Sequence, residues 1–128
     1  MSGFIERSQW KTFLEEFSKR NQLRATSLEA FGEFGAQEEE KFLPLVGISF
    51  ETKGDSAGSV EIILGGETAA EPRHLTHTIS EVERIAPLIS STGFEEGLGI
   101  EDKSGVKTLL RFEALPEIAE TTSQAAAS

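Results

Sequence analysis

Hydrophobic residues recur along this chain with two different periods, and the change falls just after residue 21. Trp10, Phe13, Leu14 and Phe17 stand at i, i+3, i+4 and i+7, with Lys11, Glu15, Glu16, Lys19 and Arg20 on the other face. That spacing predicts an amphipathic helix. Ser8 is placed to cap its start, and Asn21 to end it in the left-handed conformation that asparagine tolerates. The stripe holds the only tryptophan, so it is expected to pack against a core.

Beyond it the period drops to two, the repeat of a strand with one buried face. Arg24–Phe31 alternates Thr26, Leu28 and Ala30 with Ser27, Glu29 and Phe31, and Gly32-Glu33-Phe34-Gly35 reads as a turn or bulge. Phe42–Phe50 follows the run Glu38-Glu39-Glu40-Lys41. Pro44 argues for a sheet edge there, and Gly47 for a bend. Val60–Leu64 forms a hairpin with that strand across Lys53–Gly58. A loop at 65–72 leads to Arg73–Ile79, then to Val82–Ile89, where Pro87 again suggests an edge. Leu98–Glu101 and Val106–Phe112 flank Asp102–Gly105, a turn in which Gly105 can take positive φ. Few connections reach the dozen residues a parallel crossover needs, so the sheet should be mainly antiparallel.

The fold class expected is therefore α+β: an N-terminal amphipathic helix packed on a strongly bent antiparallel sheet or half-barrel of six to seven strands. Residues 1–7 read as a flexible start, 8–114 as a single domain and 115–128 as a disordered tail. The length of 128 residues suits one core without a metal or disulfide staple.

Composition narrows the chemistry. Cysteine is absent, which removes disulfides, thiolate metal sites and a cysteine nucleophile. The start, Met1–Arg7, lacks the pattern of a secretory signal, and no apolar run approaches the roughly 20 residues that span a bilayer. A cytoplasmic protein is expected. The net charge is −10, divided into +2 over residues 1–24 and −12 over the rest. Such a field repels phosphates and anionic lipid, so nucleic acid and membrane are not expected as partners.

Both histidines lie within Arg73-His74-Leu75-Thr76-His77-Thr78, the only cluster able to exchange protons or hydrogen-bond a ligand near neutral pH. On a strand, His74 and His77 point to opposite faces and cannot readily chelate one ion. Leu75 and Ile79 flank His77 on one face and make it the inward residue, in need of a hydrogen-bond partner. His74 shares the outward face with Thr76 and Thr78. Arg73, His74, Thr76, His77 and Thr78 are the candidate ligand-binding residues, with no metal and no cofactor. No serine sits in a nucleophile elbow. Gly65-Gly66 and Gly97-Leu98-Gly99 lack the lysine-bearing turn and helix of a phosphate loop, so turn or bulge explains them better. Adjacent acids such as Glu38-Glu39-Glu40 and Glu95-Glu96 read as a solvated face.

Four segments carry a family resemblance: Trp10-Lys11-Thr12-Phe13-Leu14-Glu15-Glu16-Phe17-Ser18, Leu43-Pro44-Leu45-Val46-Gly47-Ile48, His74-Leu75-Thr76-His77-Thr78-Ile79 and Lys107-Thr108-Leu109-Leu110-Arg111-Phe112. Through them the chain resembles a family of small bacterial proteins known as domain of unknown function 5335, over about residues 8–113. The resemblance implies a compact cytoplasmic bacterial protein. It transfers no activity, cofactor or catalytic residue.

The expected function is a non-enzymatic small binding or protein-interaction module, with a protein partner or self-association through edge strands. Two alternatives stand beside it. One is a small enzyme using His77 or His74 with a carboxylate as general base. The other is an Sm-like nucleic-acid-binding barrel, since that architecture also opens with a helix before a bent sheet.

Overall fold

A computed structural model describes residues 3–32, 35–65 and 74–113. A 3-10 turn, Arg7–Gln9, leads into helix α1, Trp10–Arg20. Seven strands follow: β1 Ala25–Gly32, β2 Gly35–Phe50, β3 Val60–Gly65, β4 His74–Ile79, β5 Val82–Ile89, β6 Glu95–Asp102 and β7 Lys107–Phe112. They form one sheet in the order β4-β3-β2-β1-β7-β6-β5, every neighbouring pair antiparallel. The ends of that order, β4 and β5, are not paired, so the sheet is not a closed barrel and the Sm-like expectation is not met. The rest of the expected architecture holds: one N-terminal helix on an antiparallel sheet.

The helix buries Trp10, Leu14 and Phe17 against Leu28, Leu43, Leu45, Ile48, Ile62, Leu110 and the other inward residues of the strands. Phe17 stacks on Phe112 at 5.8 Å between ring centroids, and Trp10 meets Phe50 edge-on at 5.2 Å. Burial of this stripe ties the helix to the sheet, each fully buried large side chain contributing roughly 1.5–3 kcal/mol. The start of the helix differs from expectation. Ser8 lies inside the 3-10 turn, Gln9 occupies the cap position, and no side chain caps the helix. Asn21 does end it, but at φ −117°. The left-handed turn comes two residues later at Leu23, φ 72°. Asn21 is instead buried, its side-chain amide donating to the Phe17 carbonyl at 2.9 Å.

Pro44 corrects a second expectation. It lies not at an edge but on β2, between β1 and β3. Pairing of β2 with β1 runs to Ala25↔Pro44, and pairing with β3 begins at Leu45↔Leu64. A residue without an N–H is tolerated here because the strand is changing partner. A register shift between Leu45 and Gly47 marks the bend, where Gly47 had suggested one. Past it, β2 has left β1, and Ile48 turns to the helix. Its N–H donates to Ser18 Oγ at 2.8 Å, and that hydroxyl is shared between the carbonyls of Ile48 and Leu14 at 3.0 and 2.7 Å. Ser18 thus stands in for the missing strand neighbour.

β2 also begins earlier than the hydrophobic pattern suggests, at Gly35, and β6 begins at Glu95, before its first apolar residue. Gly97 is no turn. A Cβ there would lie 2.0 Å from the Leu110 carbonyl oxygen, so only glycine lets β6 approach β7 this closely. Gly105 does take positive φ, at 95°, beside Asp102, whose carboxylate accepts the N–H groups of Ser104 and Val106.

Candidate functional site

β4 follows the alternation that its sequence requires. Leu75 and His77 are half-buried, Ile79 is buried, and His74, Thr76 and Thr78 are exposed. Across the ladder, His77 faces Ile62 and Leu75 faces Leu64, while Thr78 faces Glu61 and Thr76 faces Ile63. Among the described residues neither imidazole has a hydrogen-bond or ion-pair partner, and no trio of acidic and histidine residues is placed to hold a metal ion. Arg73 lies outside the described residues, as do the loop 66–72, residues 33–34 and the tail 115–128.

The backbone of β4 has a direction that its side chains do not reveal. In an antiparallel ladder a residue sends its N–H and C=O to one side, and the next residue sends its own to the other. Glu51 N–H donates to the Ser59 carbonyl at 2.9 Å, so Ser59, Glu61 and Ile63 point their backbone groups at β2. Val60, Ile62 and Leu64 therefore bond to β4, through Ile79, His77 and Leu75. It follows that His74, Thr76 and Thr78 direct their N–H and C=O away from the sheet. The three residues with exposed side chains are the same three whose outward backbone groups have no partner among the described residues.

β4 and β5 are continuous in space as well as in sequence. Six antiparallel steps separate them across the sheet, so the two strands run in the same sense. The link between them is only Ser80-Glu81, with Glu81 at φ 53°. The chain leaves one edge of the sheet, kinks, and becomes the other edge. Two turns hold the kink. Val82 N–H donates to the Gly58 carbonyl at 3.0 Å, and Lys103 N–H to the Glu81 carbonyl at 2.9 Å.

A shallow, open depression of about 340 Å³ lies at this kink, lined by Asp55, Ala57, Ser59, Thr78, Ser80 and Glu81. It contains two carboxylates and three hydroxyls and neither histidine. Of the sequence-derived site residues that are described, only Thr78 reaches it. Asp55, Ser59, Ser80 and Glu81 gave no signal in the sequence, because the kink that gathers them becomes visible only once β4 and β5 are known to be opposite edges.

Among the described residues the most connected polar group lies elsewhere, at the C-terminal end of the helix. Arg20 grips Glu95 through two bonds of 3.1 and 2.7 Å, and the Asn21 amide adds a third at 3.0 Å. Arg24 bonds the Glu95 carbonyl at 2.8 Å and lies 4.2 Å over the Phe112 ring. The hydrogen bonds from Arg20 hold the Glu95 carboxyl below the usual carboxylate range, against the opposing effect of burial, and Asn21 lowers it further. The same pair raises the Arg20 guanidinium. Every member is engaged in joining the helix to β6, so this cluster is structural.

Among the described residues no helix is long and apolar enough to cross a membrane. A family model described as a family of unknown function (DUF5335) matches residues 2–121. No curated protein and no solved structure matches the chain.

Proposed function

The chain belongs to the DUF5335 family, and from its free edge we propose that it is a protein-interaction module which binds an extended segment of another protein along β4. The observation that carries this reading is the coincidence at His74, Thr76 and Thr78 of outward backbone groups with exposed side chains. Strand addition takes its affinity from main-chain hydrogen bonds and its specificity from side chains at alternate positions. Threonine suits both faces of such a pairing, since it is β-branched and hydrogen-bonds across strands. The general-base alternative lacks its pair of groups, because among the described residues no carboxylate bonds to either imidazole and the depression contains neither.

The test uses the full isotope-labelled chain and short synthetic peptides of alternating threonine and valine. Binding should perturb the amides of His74, Thr76 and Thr78 and slow their hydrogen exchange, leaving those of Leu75 and His77 little changed. Thr76→Pro, which deletes an outward N–H and no internal bond, should abolish binding with the fold intact. Peptides that bind the Thr76→Pro variant as well as the parent, or shift residues elsewhere only, would overturn the reading.

A further inference from the structure

The depression at the β4–β5 kink is continuous with the free edge, since Thr78 belongs to both. We infer that the segment added to β4 carries a basic side chain, lysine or arginine, at the position opposite Thr78, seated between Asp55 and Glu81. The inference rests on the strand-addition reading and names the chemistry of its occupant.

Three observations converge on it. A residue paired with Thr78 would project on the same face as that threonine, beside the depression, because side chains of paired residues lie on one side of a sheet. Only a long side chain could then lean across Thr78 into the hollow. Its charge is chosen by the lining. Asp55 and Glu81 are both exposed carboxylates, and neither forms an ion pair with another described residue. Arg7, which lies beside Gly58, is committed elsewhere: it donates to the Val82 carbonyl at 3.2 Å and stacks at 4.7 Å from the Trp10 ring centroid. Lys103 meets Glu81 through backbone atoms, its N–H on the Glu81 carbonyl.

The rest of the lining suits a cation's hydrogen bonds. Ser59, Thr78 and Ser80 bring hydroxyl oxygens that accept from an ammonium or guanidinium. The protein's field points the same way, since 104 of the 128 residues carry −12 of its charge. That field draws a basic segment in and opposes a second copy of this chain, which brings the same charge to the contact. Glu81 is held in place by the backbone: it has a positive φ between two strands, its carbonyl accepts from Lys103 N–H, and the N–H of the following Val82 donates to the Gly58 carbonyl, which gives the carboxylate a defined origin.

The experiment compares three alternating threonine–valine peptides that differ only at one outer position, occupied by arginine, glutamine or glutamate. Each is titrated into the labelled full chain and into the Asp55→Asn/Glu81→Gln variant. Arginine should bind roughly three- to tenfold more tightly than glutamine, and glutamate more weakly than either. The preference should vanish in the double variant and shrink in salt of about 0.5 M. Equal binding of all three peptides at β4, with no effect of the double variant, would overturn the basic occupant while leaving strand addition standing. Failure of all three to bind β4 would overturn both. If the double variant does not fold, the salt dependence of the parent's arginine preference decides the matter alone.

Discussion

The two edges of this sheet are treated in opposite ways. β5 is blunted. Ile5 N–H donates to the Ile85 carbonyl at 2.8 Å, so the segment before the helix lies along the outer side of the strand. Pro87 stands two residues beyond Ile85 with no register shift between them, so its missing N–H falls on that same outer side. Arg84, on the same strand, lies 5.6 Å from the Phe4 ring centroid. β4 has none of these devices among the described residues. It has no proline, lysine, arginine or carboxylate within His74–Ile79, and no described segment covers it. Proteins usually protect exposed edges against unwanted pairing. Among the described residues one edge is covered and the other, two residues away along the chain, is not, and strand addition is the use we propose for the uncovered one.

The largest effect on this contrast should come from Trp10. Its indole N–H donates to the Ile5 carbonyl at 2.9 Å, and its ring is buried against Phe50. It is the link between the core and the segment that covers β5. Trp10→Ala should cost about 3–5 kcal/mol by urea unfolding, and hydrogen exchange at residues along β5 should speed up more than at β4. Equal acceleration at both edges would show that Trp10 supports the core alone and that β5 needs no cover.

A paired substitution within β4 sharpens the asymmetry to adjacent residues. His77→Pro removes an N–H that bonds to β3 and strands its acceptor, and should cost about 2–3 kcal/mol. Thr76→Pro removes one that points to solvent and should cost under about 0.5 kcal/mol. Sequence separates the two positions by side-chain face, His77 inward and Thr76 outward, but does not say which backbone N–H is paired. If the two proved equally costly, the backbone direction assigned to β4 would be wrong.

How much of this was legible beforehand follows from what hydrophobic spacing can encode. Trp10, Leu14 and Phe17 declared their helix, and Leu75, His77 and Ile79 declared their inward face, because burial writes itself into a period of 3.6 or 2. The Pro87 edge was legible because a missing donor excludes an interior strand position in most settings. Pro44 misled for the same reason: it occupies the residue where β2 exchanges β1 for β3, which no local pattern marks. Gly35–Lys41 escaped notice since glutamates carry no alternation, and pairing with β1 makes that stretch a strand. The depression was invisible, for Asp55 and Glu81 are 26 residues apart and meet only through the kink that joins opposite edges.

The β5 half of the sheet is also fastened to the far end of the helix, by Glu95, and acid tests that fastening. The Glu95 carboxyl is held below its usual range in the folded protein. Its contribution is therefore fully present above the unfolded value, about 4.3, and is lost as pH falls through the folded value. Arg20 is 48% exposed, so screening limits the pair to under about 1 kcal/mol. Glu95→Gln should lower stability by that amount at pH 7 and flatten its acid dependence, read from urea midpoints between neutral pH and the carboxylate range. An unchanged acid profile would remove Glu95 from the account.

The smallest expected change in stability tests the contrast most directly. Pro87→Val returns an N–H to the outer side of β5 without adding a charge or altering the inward residues Val82 and Ile85. Its effect on unfolding should stay within about 0.5 kcal/mol, since edge positions tolerate either residue. Its effect on association should be larger. If Pro87 is there to blunt an edge, the valine variant should sediment with a concentration-dependent rise in apparent mass while the parent does not. Combining it with Thr76→Pro then separates the edges. Association that persists in the double variant belongs to β5, and association that disappears belongs to β4, in which case Pro87 would not be what distinguishes the two strands.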